Sequence, residues 1–287
     1  MPATNTYLNL GCGGRCHPEW TNIDIAARGP GVIRHDLSRG IPLLGASCAV
    51  VYHAAALEHL RRPDAAAFVL ECHRVLKPGG VLRVGVPDLE KICRLYLARL
   101  ESALAGEAAS ASDYDWVMME LYDQATREKS GGGMVEYLRR SPLPNEEFVL
   151  KRIGVEGREL LAALRAQDGG GKPARSTALR ALLSGLRSLP IAAGRLAAGA
   201  LLGAEGRRAL AIGRFRLSGE VHQWMYDRYS LARLLKDAGF HETYACDAAT
   251  SRIPDWGRFN LDTLPDGQVI KPDLFFMEAV KPEGATS

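Results

Sequence analysis

Three glycines in four positions, Gly11, Gly13 and Gly14, follow the apolar run Tyr7–Leu10, and an acid, Asp24, closes WTNID shortly downstream. Glycines at a strand end let the backbone turn sharply and leave no Cβ between the chain and a ligand. An acid at the end of the next strand can accept both hydroxyl protons of a ribose. A third run, GVIRHDL, carries Asp36 to where an adenine amino group could donate to it. Together these residues have the chemistry of a nucleoside site. A dinucleotide turn of the form G-x-G-x-x-G fails here, because Cys16 stands where the third glycine belongs, and no Gly-Lys-Ser/Thr follows to make a phosphate loop.

Such a site needs an open parallel sheet, in which ligands lie beyond the carboxyl ends of the strands. The sequence supplies one. Strand-like runs at Tyr7–Leu10, Trp20–Ile25, Gly31–Leu37 and Ala49–His53 precede a helix with Phe68, Cys72, Val75 and Leu76 on one face. Lys77-Pro78-Gly79-Gly80 is a stop signal, after which Val81–Asp88 resumes strand. Near the C-terminus, Ser230 is expected as the N-cap of a helix presenting Leu231, Leu234, Leu235 and Ala238 and ending at Gly239. His241–Cys246 and Leu274–Val280 are the remaining strands expected.

The chain of 287 residues is 47% hydrophobic with net charge +3, ample for a buried core and too nearly neutral to announce a nucleic-acid partner. Six scattered cysteines lack zinc-finger pairing and are expected as free thiols; no metal is expected. The sequence shows neither a signal peptide nor a membrane-spanning run, so the expected location is cytoplasmic.

The ordered set LNLGCGG, NID, HDL, ALEHL and RVLKPGGVLRVGVPD resembles the class I S-adenosylmethionine-dependent methyltransferases, and within them a bacterial type 11-like group often associated with glycan biosynthesis. The likeness covers roughly residues 6–100 and resumes at GEVHQWMYDRYSLARLLKDAGF, SRIPDW and KPDLFFMEAV. It implies an α/β fold: a Rossmann-like, seven-stranded, mostly parallel sheet with helices on both faces, its last strand antiparallel. It also implies S-adenosylmethionine as cofactor, over Gly11, Cys12 and Gly13, with Asp24 on the ribose and Asp36 at the adenine end. Tyr52 and His53 would approach the sulfonium side. The implied activity is in-line O-methylation of a sugar hydroxyl in a glycan or its lipid-linked precursor. A small-molecule or amine acceptor, and a non-catalytic scaffold, stay open.

A hydroxyl acceptor must lose a proton, and a base with pKa near 7 points to histidine. His222 and His53 are the catalytic candidates. His222 lies among Trp224 and Tyr226, aromatics suited to a sugar face, and the three form the expected substrate set. His59, in ALEHL, is expected to be structural.

Residues 1–100 and 219–287 are expected to form the core, with 101–218 a helical insertion that builds the acceptor pocket. Between Gly169 and Gly219, Lys172 and Arg175, Arg180, Arg187, Arg195, Arg207, Arg208, Arg214 and Arg216 face only Glu205. That basic stretch, with an apolar face over Leu179–Leu186, suits an anionic membrane surface. Arginines without interleaved aromatics argue against nucleic acid.

Overall fold

The computed structural model describes residues 6–27, 29–168 and 202–283. Within them the chain forms β1 (Thr6–Leu10), β2 (Thr21–Asp24), β3 (Val32–Arg34), β4 (Cys48–Ala54), α1 (Arg62–Val75) and β5 (Leu76–Pro87). Four helices follow: α2 (Leu89–Leu104), α3 (Ser110–Thr126), α4 (Gly132–Leu138) and α5 (Glu146–Asp168). The chain then makes α6 (Gly203–Arg216), α7 (Arg228–Asp237), β6 (His241–Cys246) and β7 (Leu274–Val280).

The seven strands form one Rossmann-like sheet in the order β3-β2-β1-β4-β5-β7-β6. β1 to β5 are parallel, and β7 runs antiparallel between β5 and β6. β1 and β4 lie side by side at the centre, where the strand order reverses, and both carboxyl ends open on the same crevice.

Strand alternation sorts the residues of β4 between two cores. Val51 joins Leu8, Leu10, Leu82 and Val84 against Phe68, Val69 and Cys72 of α1 and Leu231 and Leu235 of α7. Val50 and Tyr52 face the other way, into Trp20, Ile253, Trp256, Phe259 and Leu261. The sequence differs from the structure in two details here. Leu76, expected on the helix face, is the first residue of β5, so strand follows α1 with no loop between them. The cap of α7 is Asp227 rather than Ser230: its carboxylate accepts from Ser230 N, while Ser230 Oγ accepts from Asp227 N, a reciprocal capping box.

Helices α3, α4 and α5 enclose a separate apolar cluster around Trp116, Tyr137, Val149 and Leu161. Inside α5, Gly154 breaks the helix with φ 63° and ψ −146°. A Cβ there would lie 2.3 Å from Pro272 Cδ and 2.5 Å from the Ile270 carbonyl, so only glycine permits this contact. Val155 N donates to Ile270 O at 3.0 Å, fastening the helical segment to the stretch that leads into β7. The boundary expected at residue 100 falls inside α2. The expected apolar face over Leu179–Leu186 lies outside the described residues. Among those described, no helix is long and apolar enough to cross a membrane.

Candidate functional site

At the end of β1 the backbone turns through Gly11 (φ 63°) and Gly13 (φ 53°). A Cβ on Gly11 would meet Ala56 Cβ at 3.3 Å, whereas one on Gly13 would project into open space. The turn is tied to the end of β2. Gly11 N donates to Ile23 O at 2.8 Å, and Gly13 N donates to Asp24 Oδ2 at 2.9 Å. Ala26 N donates to the second oxygen, Asp24 Oδ1, at 2.6 Å. A carboxylate offers about four lone-pair sites, so Asp24 keeps acceptor capacity for a hydroxyl pair. Above the turn is a cavity of ≈ 340 Å³, lined among others by Gly11–Gly14, Tyr52, Glu156, Asp262 and Lys271. Its size falls within the range of small-molecule sites. The open side of Gly13 leaves backbone available to a ligand, as a nucleoside cofactor requires.

One wall of this cavity hangs on a buried cation. The guanidinium of Arg83, 0% exposed, donates to Asp262 Oδ2 at 3.0 Å and to Glu278 Oε1 at 2.8 Å. It also donates to the carbonyls of Thr250 and Asp247, at 2.9 and 2.8 Å. Tyr52 Oη donates to Asp262 Oδ1 at 2.5 Å. Burial disfavours the charge on Glu278, but bonds from Ser251, Tyr244, the Arg252 amide and Arg83 outweigh it and hold its pKa below the ordinary range. For Asp262 the balance goes the other way, and burial raises its pKa. The segment between β6 and β7 is thereby pinned to the sheet and carries Leu261 and Asp262 to the cavity.

A second cavity of ≈ 470 Å³ shares Ala55, Glu156, Lys271 and Leu274 with the first. Separate parts of the chain meet there, among them the turn Leu57–His59, the segment around His222, and helices α3 to α5. Backbone bonds set their positions. Gln223 N and Trp224 N donate to Glu58 O at 2.7 and 3.3 Å, and His222 N donates to Gln124 O at 3.0 Å. The rings of His59 and His222 stand edge to face, 4.7 Å apart.

Charge in this cavity is divided. Lys271 pairs with Glu156 at 3.0 Å, and Arg127 pairs with Asp123 at 2.8 Å and Glu220 at 3.3 Å. Burial, reinforced by His59, Arg127 and Lys271, drives the His222 pKa down to about 3. Burial also raises the Glu58 pKa to about 7. Glu58 is 1% exposed, and its Oε2 has no hydrogen-bond partner.

The structure brings together Gly11, Cys12, Gly13 and Tyr52 in the lining of the first cavity; Asp24 is outside that lining and is tied to it by accepting from Gly13 N. Burial raises the Cys12 thiol pKa to about 12, and its Sγ lies 3.5 Å from Cys16 Sγ. His222 lines the second cavity. Four other expectations need correction. His53 is 0% exposed, and strand alternation turns it away from Tyr52 onto the ring of Phe68 at 5.1 Å; burial lowers its pKa to about 3. It is a core residue, not a base. Asp36 is exposed, lines neither cavity, and caps the turn Leu37–Arg39 by accepting from Ser38 N and Oγ. Tyr226 is 4% exposed in the main core, and Trp224 lies on the surface beneath Arg62. Neither aromatic reaches the second cavity, because backbone pairing with Glu58 presents His222 there instead.

The residues missed were Glu58, Glu156, Asp262 and Lys271. Lys271 opens KPDLFFMEAV and Glu58 sits inside ALEHL, so both lay within quoted blocks, but nothing local marked them as facing a cavity.

The fold defines the class: a Rossmann-like sheet with its ligand crevice at the central strand reversal, over a glycine turn. Residues 15–84 match the family described as "Methyltransferase domain". The chain is 45% identical over 76 residues to a "Probable S-adenosylmethionine-dependent methyltransferase" of Mycolicibacterium smegmatis, a match spanning 26% of this chain and 29% of that relative. Among solved structures, a SAM-dependent methyltransferase from Methanosarcina mazei superimposes with a TM-score of 0.38 at 17% identity, over 98% of this chain and 94% of the other. One from Mesorhizobium loti gives 0.36 at 14% identity, over the same shares of 98% and 94%.

Proposed function

We propose that the protein is an S-adenosylmethionine-dependent methyltransferase whose acceptor is a sugar hydroxyl in a glycan or its lipid-linked precursor. The observation that carries this reading is the pair of cavities with a common wall: one lies over a glycine turn fit for a nucleoside, the other is walled by His222 and the helical segment. When bound, S-adenosylmethionine supplies a methyl group made electrophilic by its sulfonium. Gly11 and Gly13 would give it bare backbone, and Asp24, fixed by the Gly13 and Ala26 amides, would accept from the ribose hydroxyls. Tyr52 and Asp262 close the wall beside it. Glu156 and Lys271, in both linings, would stand where the two ligands meet, and His222, in the lining of the second, would face the reacting group of the acceptor. Positioning of this kind contributes about 7–11 kcal/mol to a bimolecular transfer.

The test is to incubate the purified protein with methyl-labelled cofactor and fractionated cell-surface glycans, lipids and RNA. Label is expected in the glycan or lipid-linked fraction. Label in RNA or in small amines instead would overturn the acceptor assignment. Absence of cofactor binding by calorimetry would reduce the protein to a scaffold.

A second reading concerns location. Helix α6 buries none of its residues, yet carries Arg207, Arg208, Arg214 and Arg216, with Leu210 and Leu217 exposed. We place this helix against the anionic inner face of a membrane, near a lipid-linked acceptor. Co-sedimentation with anionic vesicles, absent with neutral ones, is the expected result; equal pelleting with both would end the idea.

A further inference from the structure

Glu58, His59 and His222 each turn one ligand atom toward the others, all within 4.8 Å, at the wall of the second cavity. We propose that these three side chains are a binding site for a divalent first-row transition metal such as zinc, with an open coordination position facing the acceptor cavity.

The burial of Glu58 is the first reason. A carboxylate 1% exposed with an unpartnered oxygen is costly unless a cation or a proton meets it. Lys271 and Arg127 line the same cavity, but each is already paired, with Glu156 and with Asp123 and Glu220 respectively. The donor set is the second reason. Two imidazoles and one carboxylate are a recurring ligand set of open zinc sites, the remaining position being left to water or substrate.

Geometry asks for a modest adjustment. A tetrahedral ion with bonds of about 2.0–2.2 Å holds its ligand atoms roughly 3.4 Å apart. His59 Nε2 is now 4.0 Å from Glu58 Oε1. Small rotations of the side chains close such gaps, while backbone bonds from Gln223 and Trp224 to Glu58 O keep the two segments in register. An ion held here would lower the pKa of an acceptor hydroxyl, and His222 would act on the acceptor through it rather than as a free base.

The test uses the full chain, stripped of metal, with Zn²⁺, Co²⁺ and Mg²⁺ each titrated alone by calorimetry, and Co²⁺ followed also by visible absorption. One equivalent of Zn²⁺ or Co²⁺ is expected, with a four-coordinate Co²⁺ spectrum and no Mg²⁺ binding. Glu58→Gln, which keeps the side-chain volume, and His222→Ala are each expected to weaken binding by at least about tenfold, the scale on which even outer-shell changes act. Cys16→Ser controls for the thiol pair Cys12–Cys16 and is expected to change nothing. No binding of either transition metal overturns the proposal. So does binding unchanged in Glu58→Gln, or lost in Cys16→Ser. Circular dichroism identifies a variant that fails to fold, in which case the isosteric Glu58→Gln decides. Metal binding does not depend on methyl transfer: a chain that binds zinc but no S-adenosylmethionine keeps this site and loses the activity proposed above.

Discussion

The first cavity takes its floor from Gly11–Gly14, the turn that leaves β1, and from Tyr52 on the adjacent parallel strand β4, a pairing that follows from apolar patterning. The second cavity draws Glu58, Trp116, Gly157 and His222 from four separate stretches, none of them a strand of the sheet. Strand register therefore makes most of one site, whereas single backbone bonds and one glycine kink make the other. A regular scaffold positions a recurring ligand part, and an added helical layer is free to vary what meets it.

Five substitutions probe this division. The largest loss is expected for Arg83→Met, which leaves Asp262 and Glu278 buried without their cation; breaking such a pair costs about 3–5 kcal/mol. Denaturant unfolding measures it, and a change under 1 kcal/mol would mean that the wall of the first cavity is held some other way.

His222→Ala is expected to slow methyl transfer by about 100-fold or more while cofactor affinity stays as it was. Single-turnover rates and calorimetry separate the two quantities; a parallel fall in both would erase the distinction between the cavities.

For Asp24→Ala the opposite pattern is expected. Loss of a charged hydrogen-bond acceptor weakens cofactor binding by about 1.5–3 kcal/mol, roughly 10- to 150-fold. Unaltered affinity would remove Asp24 from the site.

Gly154→Ala strains the kink against Pro272 and Ile270 and is expected to cost about 1–3 kcal/mol. Calorimetry should show a lowered unfolding midpoint, and the acceptor KM should rise more than the cofactor KM. Equal effects on both would show the kink serving the whole fold alike.

The smallest effect belongs to His53→Leu. It replaces a buried imidazole whose two nitrogens lack partners with an apolar side chain, so stability should change by less than about 1 kcal/mol and turnover not at all. A collapse of kcat in this variant would return His53 to the mechanism.

Legibility followed the range of the interaction. Glycines after an apolar run, and an acid at the next strand end, are local signals, and they led to Gly11 and Gly13, which line the first cavity, and to Asp24, which accepts from the Gly13 amide. His53 was misplaced by a single step of alternation: the sequence put it at the right end of β4, but its side chain points into the opposite core from Tyr52. Tyr226 and Trp224 were grouped with His222 by nearness in sequence, but this segment is not a regular strand, so residues two apart do not share a face: Tyr226 enters the main core, Trp224 stays on the surface and His222 lines the second cavity. Asp36 reads as a strand-end acid, and it became a cap because β3 stops at Arg34.

By itself the sequence determined the parallel sheet, the turn at its centre and the chemistry such a turn supports, because hydrophobic period and glycine placement act within a few residues. Only the tertiary structure decided which charges are buried and which side chains share a cavity. Arg83 meets Asp262 and Glu278 across 179 and 195 positions of the chain, and Glu58 is brought to His222 by the Gln223 and Trp224 amides in a pairing that no local pattern encodes. Burial and long-range pairing are properties of the packed chain, and they set the charge state and aim of the groups that would do the chemistry.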